Sequence, residues 1–223
     1  MIRAAAVLLP CALNFLAFGQ AGSGSHASTL HQSVVWEPQL LYKFNDAVPR
    51  ATVRHEMIGS LRISDLKVQL EEDSRLDDLQ RRFGGEVGHE GDAGDSLLWL
   101  CLHAADAGGP WVLWLESGEI DGPYVGRFQW SRVPRTARFD RRCSTLQDST
   151  TIQLPDGLRL EVSEGNVLRT LGRPTVREKE VLVYEHEHDE MIRGESFNSS
   201  NTVVIRFQGG KLWAIDVQKT TTN

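Results

Sequence analysis

A run of alternating acids and histidines, Glu185-His186-Glu187-His188-Asp189-Glu190, is where this sequence comes closest to a metal centre. Side chains in a strand alternate faces, so His186 and His188 project together and can share an ion. Zinc needs a third or fourth ligand, and His89, Glu90, Asp92 and Asp95 offer donors from a loop in the first half. The spacing is not the helical HExxH kind, and the plainer expectation is a strand running out into a solvated loop. Gly91-Asp92-Ala93-Gly94-Asp95-Ser96 has oxygen ligands at turn positions that suit calcium, without the EF-hand pattern; an ordinary loop is the expectation. Glu116 and Glu119 form a carboxylate pair of the type that does acid–base work in glycosidases, with a solvated turn as the default. There is no nucleophile elbow, phosphate loop or dinucleotide fingerprint. The expectation is therefore a non-enzymatic chain with no cofactor and no bound metal. A metal-dependent hydrolase centred on His186 and His188 is the lesser alternative.

Binding is better served than catalysis. Trp99, Trp111, Trp114, Trp130 and Trp213 fall in apolar strand-like runs. In Trp111-Val112-Leu113-Trp114 the two indoles take opposite faces, so a sheet covered on one side would expose one of them. Trp99, Trp111, Trp114 and Tyr184 are the candidates for a binding surface. An exposed aromatic on a sheet anchors a protein partner or stacks on a sugar, which makes a carbohydrate or small-ligand module the first alternative. Asn198-Ser199-Ser200 matches a glycosylation acceptor, relevant only on a eukaryotic secretory route. A formal net charge of -6 with 40% hydrophobic residues describes a chain able to bury a core and ill-suited to nucleic acid.

The first residues set the compartment. Arg3 precedes an apolar run, Ala4 to Phe18, and Gly19-Gln20-Ala21 places small residues where a signal peptidase cuts. The run is shorter than the roughly 20 residues of a membrane span and contains Pro10, so residues 1–21 are expected to be a cleaved signal peptide rather than a retained anchor, leaving no stable membrane span. Cys11 lies mid-run behind Pro10, unlike a lipidation site. The mature chain then holds Cys101 and Cys143, expected to close a disulfide in the periplasm or outside the cell; two separate buried thiols are the alternative.

The elements that must position these groups follow in order. Residues 22–56 read as a linker and an extended arm carrying Val34, Val35, Trp36, Leu40, Leu41, Tyr42 and Phe44 around Pro38. Residues 57–133 read as a first α+β unit. Its period-two run Leu66 to Leu70 is a strand, and Ser74 or Asp73 caps a helix with an apolar stripe Leu76, Leu79, Phe83 and a Gly84-Gly85 stop. Three strands follow, to Val133. Residues 134–150 connect to a second unit, 151–223, in which Ser163 caps a helix bearing Val167, Leu168 and Leu171. Gly172 and Pro174 end it. The strand Glu180–His188 leads to a hairpin turning at Gly209-Gly210, with Val203, Ile205 and Phe207 on one face and Trp213, Ile215 and Val217 on one face of the return strand. The order helix then three strands thus occurs twice, which points to internal duplication.

The segment Leu158-Arg159-Leu160-Glu161-Val162-Ser163 through Leu171-Gly172-Arg173-Pro174 resembles the SmpA/OmlA (BamE-type) envelope modules and the β-lactamase-inhibitor-protein family, which carries two such units in tandem. Glu161-Val162 stands where the family pattern places glycine and a large apolar residue, and no lipidation cysteine follows the signal. The resemblance implies an α+β fold of two tandem helix-plus-antiparallel-sheet units and a non-enzymatic role. The implied partner is an unidentified envelope or extracellular protein, met through a sheet face.

Overall fold

Two short helices begin and end much as their sequences dictate. The computed structural model describes residues 34–41, 58–92, 96–118, 122–192 and 195–222. Helix α1 spans Leu76–Phe83 and α2 spans Glu164–Leu171. Both stop at a glycine with positive φ, Gly84 at 78° and Gly172 at 79°, where a side chain would be strained. Ser163 caps α2 by accepting from the Asn166 N–H. The first helix differs from expectation: Arg75 occupies its cap position without a side-chain bond to the helix backbone, and the Ser74 hydroxyl accepts from the Gln69 N–H instead. The acids Asp77 and Asp78 and the bases Arg81 and Arg82 still complement the helix dipole.

The strands are β1 (Val34–Val35), β2 (Ser60–Ile63), β3 (Leu66–Gln69), β4 (Val87–Glu90), β5 (Leu97–Asp106), β6 (Gly109–Gly118), β7 (Arg127–Arg132), β8 (Arg138–Phe139), β9 (Ser144–Thr145), β10 (Ile152–Gln153), β11 (Val176–Glu178), β12 (Val181–Ile192), β13 (Glu195–Gln208) and β14 (Lys211–Thr222). Eight of them form one antiparallel path in the order β11-β12-β13-β14-β7-β6-β5-β4, with β9 added in parallel to β5. The expected α+β fold of two tandem helix-plus-sheet units is therefore wrong. Strand accounts for 54% of the described residues and helix for 12%, and what folds is one large sheet carrying two short helices. The reason is the seam. Ala214–Gln218 of β14 ladders directly with Arg127–Ser131 of β7, so the strands that follow α1 and those that follow α2 share hydrogen bonds. Residues Gln32–Asn223 cluster as one compact unit.

Both faces of this sheet are covered, which is why Trp111 to Leu115 is an unbroken apolar run. On one side lie α1 through Leu76 and Leu79, α2 through Val167 and Leu171, and the β2–β3 hairpin, packed on Leu100, Leu113, Leu115, Phe128, Ile205 and Ile215. On the other side Trp36, Trp99, Cys101, Val112, Trp114 and Cys143 form one apolar cluster, and Leu41, Val183, Val204 and Ala214 a second. At the far edge Gly88 pairs with Trp99, and a Cβ on Gly88 would come within 2.2 Å of the indole. The turn between β13 and β14 uses Gly209 and Gly210, both at positive φ, as a two-residue hairpin requires.

The expected signal peptide, 1–21, most of the linker and arm, Asp95 and Glu119 lie outside the described residues. Among the described residues no helix is long and apolar enough to cross a membrane.

Candidate binding groove around Trp213

The cysteines are bonded. Cys101 and Cys143 form a disulfide with a Cα–Cα distance of 4.6 Å, joining β5 to the loop that precedes β9. A closed disulfide fits an oxidising compartment.

The four aromatics expected to offer a binding surface are placed otherwise. Trp99, Trp111, Trp114 and Tyr184 are each at most 2% exposed. Trp111 lies under the helical layer against Trp130, and Trp99 and Trp114 lie under the arm Val34–Leu41 on the opposite face. Tyr184 donates its hydroxyl to the Gly172 carbonyl, 3.2 Å away, at the end of α2. None of the four is open because each side of the sheet has its own cover, a circumstance a local pattern does not report.

His186 and His188 do share a face, with ring centroids 5.0 Å apart, beside Lys67, Lys219 and Asn201 in a hollow of about 350 Å³. His89 and Glu90 are exposed on β4 at the other edge of the sheet, six strands from β12, so they bring no ligand to these histidines. Among the described residues no three metal-ligating side chains converge. Asn198 sits within β13, paired with Asp189 and Thr222, rather than in a loop.

Glu116 is fully buried on β6, not in a solvated turn. Arg127 stands 3.2 Å from it and is itself held by both oxygens of Asp216, at 2.8 and 2.5 Å. Burial pushes the Glu116 carboxyl up to about 7, with Arg127 opposing and Asp216 adding to the rise. One cation thus serves two carboxylates at the seam of the sheet. The arrangement is a structural ion cluster whose members come from β6, β7 and β14.

The open chemistry lies elsewhere. The register of β13 and β14 shifts between Arg206 and Phe207, where Arg206 faces Ala214 and Phe207 faces Leu212. Trp213 is the extra residue of this bulge, and bulges re-aim side chains. It packs with the cluster of Val183, Val204 and Ala214 rather than with Ile215 and Val217, so the expectation that Trp213, Ile215 and Val217 share a face is corrected. Trp213 is half-buried, whereas the other five tryptophans are buried. Exposed Arg206 stands beside it. The two residues line both a cavity of about 340 Å³, bounded by Gln39, Leu41, Trp114 and Pro134, and an open depression of about 900 Å³ bounded by Glu178, Lys179, Glu180 and Val181. Trp213 and Arg206 are therefore the shared wall of a groove with an apolar floor and a charged rim. Neither stood out in the sequence, because only the bulge frees Trp213 from the alternation that predicts its burial.

Comparison with family models, with curated proteins and with solved structures finds no match to this chain. Nothing in these comparisons identifies the SmpA/OmlA family.

Proposed function

We propose that this chain is a non-enzymatic protein-binding module acting in the periplasm or outside the cell, and that it engages its partner through the groove around Trp213. The observation that carries this is the pairing of a half-buried tryptophan with an exposed arginine, the two residues that line both hollows. Trp and Arg dominate interface hot spots: Trp buries a large rigid surface with few lost rotamers, and Arg combines an apolar stem with a planar five-donor head. The charged rim of Glu178, Lys179, Glu180 and Arg206 supplies the polar surround that such anchors use. The disulfide supports an exported location.

A photo-crosslinking residue at Gln208, on the rim of the groove, tests this in extracts of the envelope or culture fluid. The expected result is a discrete polypeptide adduct that disappears with Trp213→Ala and with Arg206→Ala. No adduct in either extract would overturn the proposal. The carbohydrate reading now rests on Trp213 alone, whose indole beside Gln208 and Glu180 suits a sugar ring. Saturable quenching of Trp213 emission by an oligosaccharide, without a protein adduct, would put it first.

A further inference from the structure

The face of the sheet away from the helices is crossed by Val34–Leu41, and the way this segment is held is that of a bound peptide. Val34 and Val35 pair in parallel with Arg138 and Phe139. Trp36 inserts its side chain, 8% exposed, beside Trp99 at 5.6 Å and under the Arg142 guanidinium at 3.9 Å. Its carbonyl accepts from the Trp114 indole N–H at 3.1 Å. Further along, the Gln129 side chain meets the backbone of Gln39 at both ends of its amide: Oε1 accepts from the Gln39 N–H at 3.0 Å, and Nε2 donates to the Gln39 carbonyl at 2.5 Å. Leu41 then inserts among Val183, Val204 and Ala214. Trp36 and Leu41 point in, while the side chains of Glu37, Gln39 and Leu40 are exposed, Leu40 at 69%.

Three features separate this from ordinary core packing. The sheet's polar contacts go to the main chain of the segment, which any extended polypeptide presents. Side-chain burial is deepest at two slots five residues apart, Trp36 and Leu41, with Val35 packed partly against the first. Trp114 and Gln129 are themselves buried beneath the segment, at 1% and 0% exposure, and its main chain pairs with their indole N–H and side-chain amide. A cavity of about 340 Å³ runs alongside, lined by Gln39 and Leu41 of the segment and by Trp213.

We infer that this face is a receptor for an extended polypeptide bearing an aromatic side chain and, five residues on, an aliphatic one. The chain's own arm fills the receptor in cis, and a partner protein's segment of the same form takes it in trans. Pockets for spaced side chains combined with main-chain clamps are a general mode of peptide recognition. The cis arm has a high effective concentration, so it competes with any trans ligand. The existence of a partner rests on the protein-binding proposal above; the receptor chemistry rests on the contacts of Gln129, Trp114, Arg142 and the Leu41 slot.

The test uses the full chain and a labelled peptide with the sequence of residues 34–41. Trp36→Ala/Leu41→Ala in the protein weakens the cis arm and should raise peptide affinity by at least about tenfold over the unmodified chain. Adding Gln129→Ala to that variant, or replacing the peptide's tryptophan by alanine, should abolish the gain. A folded double variant that binds no peptide, or binds it regardless of Gln129, overturns the inference. Hydrogen exchange on the unmodified chain keeps it testable if the double variant fails to fold. The Gln39 amide should exchange through local opening, well before β6 and β13, and protection equal to theirs overturns the inference. A concentration-dependent dimer of the unmodified chain that Gln129→Ala dissolves would also overturn it, in favour of arm exchange between copies. Peptide binding without a crosslink at Gln208 would leave the receptor standing and remove the groove; a crosslink without peptide binding would do the reverse.

Discussion

Glu116 shows how one buried group sets a pH dependence. Its carboxyl, pushed up to about 7 in the folded chain, starts from 4.5. Between those pH values the native state holds a proton that the unfolded chain has released. Stability from this group is therefore full below pH 4.5 and falls as pH rises to 7, by at most about 1.4 kcal/mol per pH unit. Asp65, Asp77 and Asp140 are shifted down by arginine partners and act in the other direction, but only as pH falls below about 4. Glu116→Gln should flatten the slope of unfolding midpoint against pH between 5 and 7 and raise stability at pH 8; an unchanged slope would refute the assignment. Arg127→Met leaves Glu116 and Asp216 buried without a cation and should cost about 3–5 kcal/mol in denaturant unfolding at pH 8. Trp213→Ala should leave the unfolding midpoint within about 1 kcal/mol of the parent while weakening the partner by on the order of 30-fold. At this scale the sequence was partly legible. Cys101 and Cys143 could be paired because only two cysteines followed the apparent signal. Trp213 could not be singled out, since a bulge is a property of two strands in register and leaves no mark in one.

Among elements, helix ends and the hairpin turn could be read directly, because a capping hydroxyl or a glycine acts within a few residues. Ser163, Gly172 and the Gly209-Gly210 turn behave as their types require. Ser74 did not, because the Gln69 amide of the neighbouring hairpin reached it first. Strand burial was harder to anticipate. An apolar run such as Trp111 to Leu115 can lie between two covers or form one open face, and only the arm on one side and the helices on the other decide it. The disulfide ties β5 to the loop whose Asp140 N–H donates to the Val35 carbonyl at 3.0 Å, and so anchors the start of the arm. Its loop, with a sequence separation of 42, is worth about 4 kcal/mol of unfolded-state entropy in the simple chain model. Cys101→Ala/Cys143→Ala should lower unfolding stability by about that amount, and should speed proteolysis near residues 34–41 more than elsewhere. Uniform acceleration would show that the bond does not anchor the arm.

For the whole molecule, the decisive fact is the pairing of β7 with β14. The recurrence of a helix followed by antiparallel strands was visible in the sequence, but nothing local states whether two such sets stand apart or merge. Residues 127–131 and 214–218 are almost ninety positions apart, and their match is written in backbone hydrogen bonds and the Arg127–Asp216 ion pair, neither of which a local pattern announces. Because the sheet is continuous, scanning calorimetry should show one transition with equal calorimetric and van't Hoff enthalpies. Two separable transitions would mean that the seam is too weak to couple the halves.

Gly88 carries a consequence of another kind. The Trp99 indole fills the space where every other amino acid would place its β-carbon. The two positions can therefore change only together, toward a smaller ring partner and a larger neighbour. Any lineage descended from this chain should show glycine at the first wherever the second keeps its indole. That linked pair, some ten residues apart, is a signature by which distant kin could be told from chance likeness.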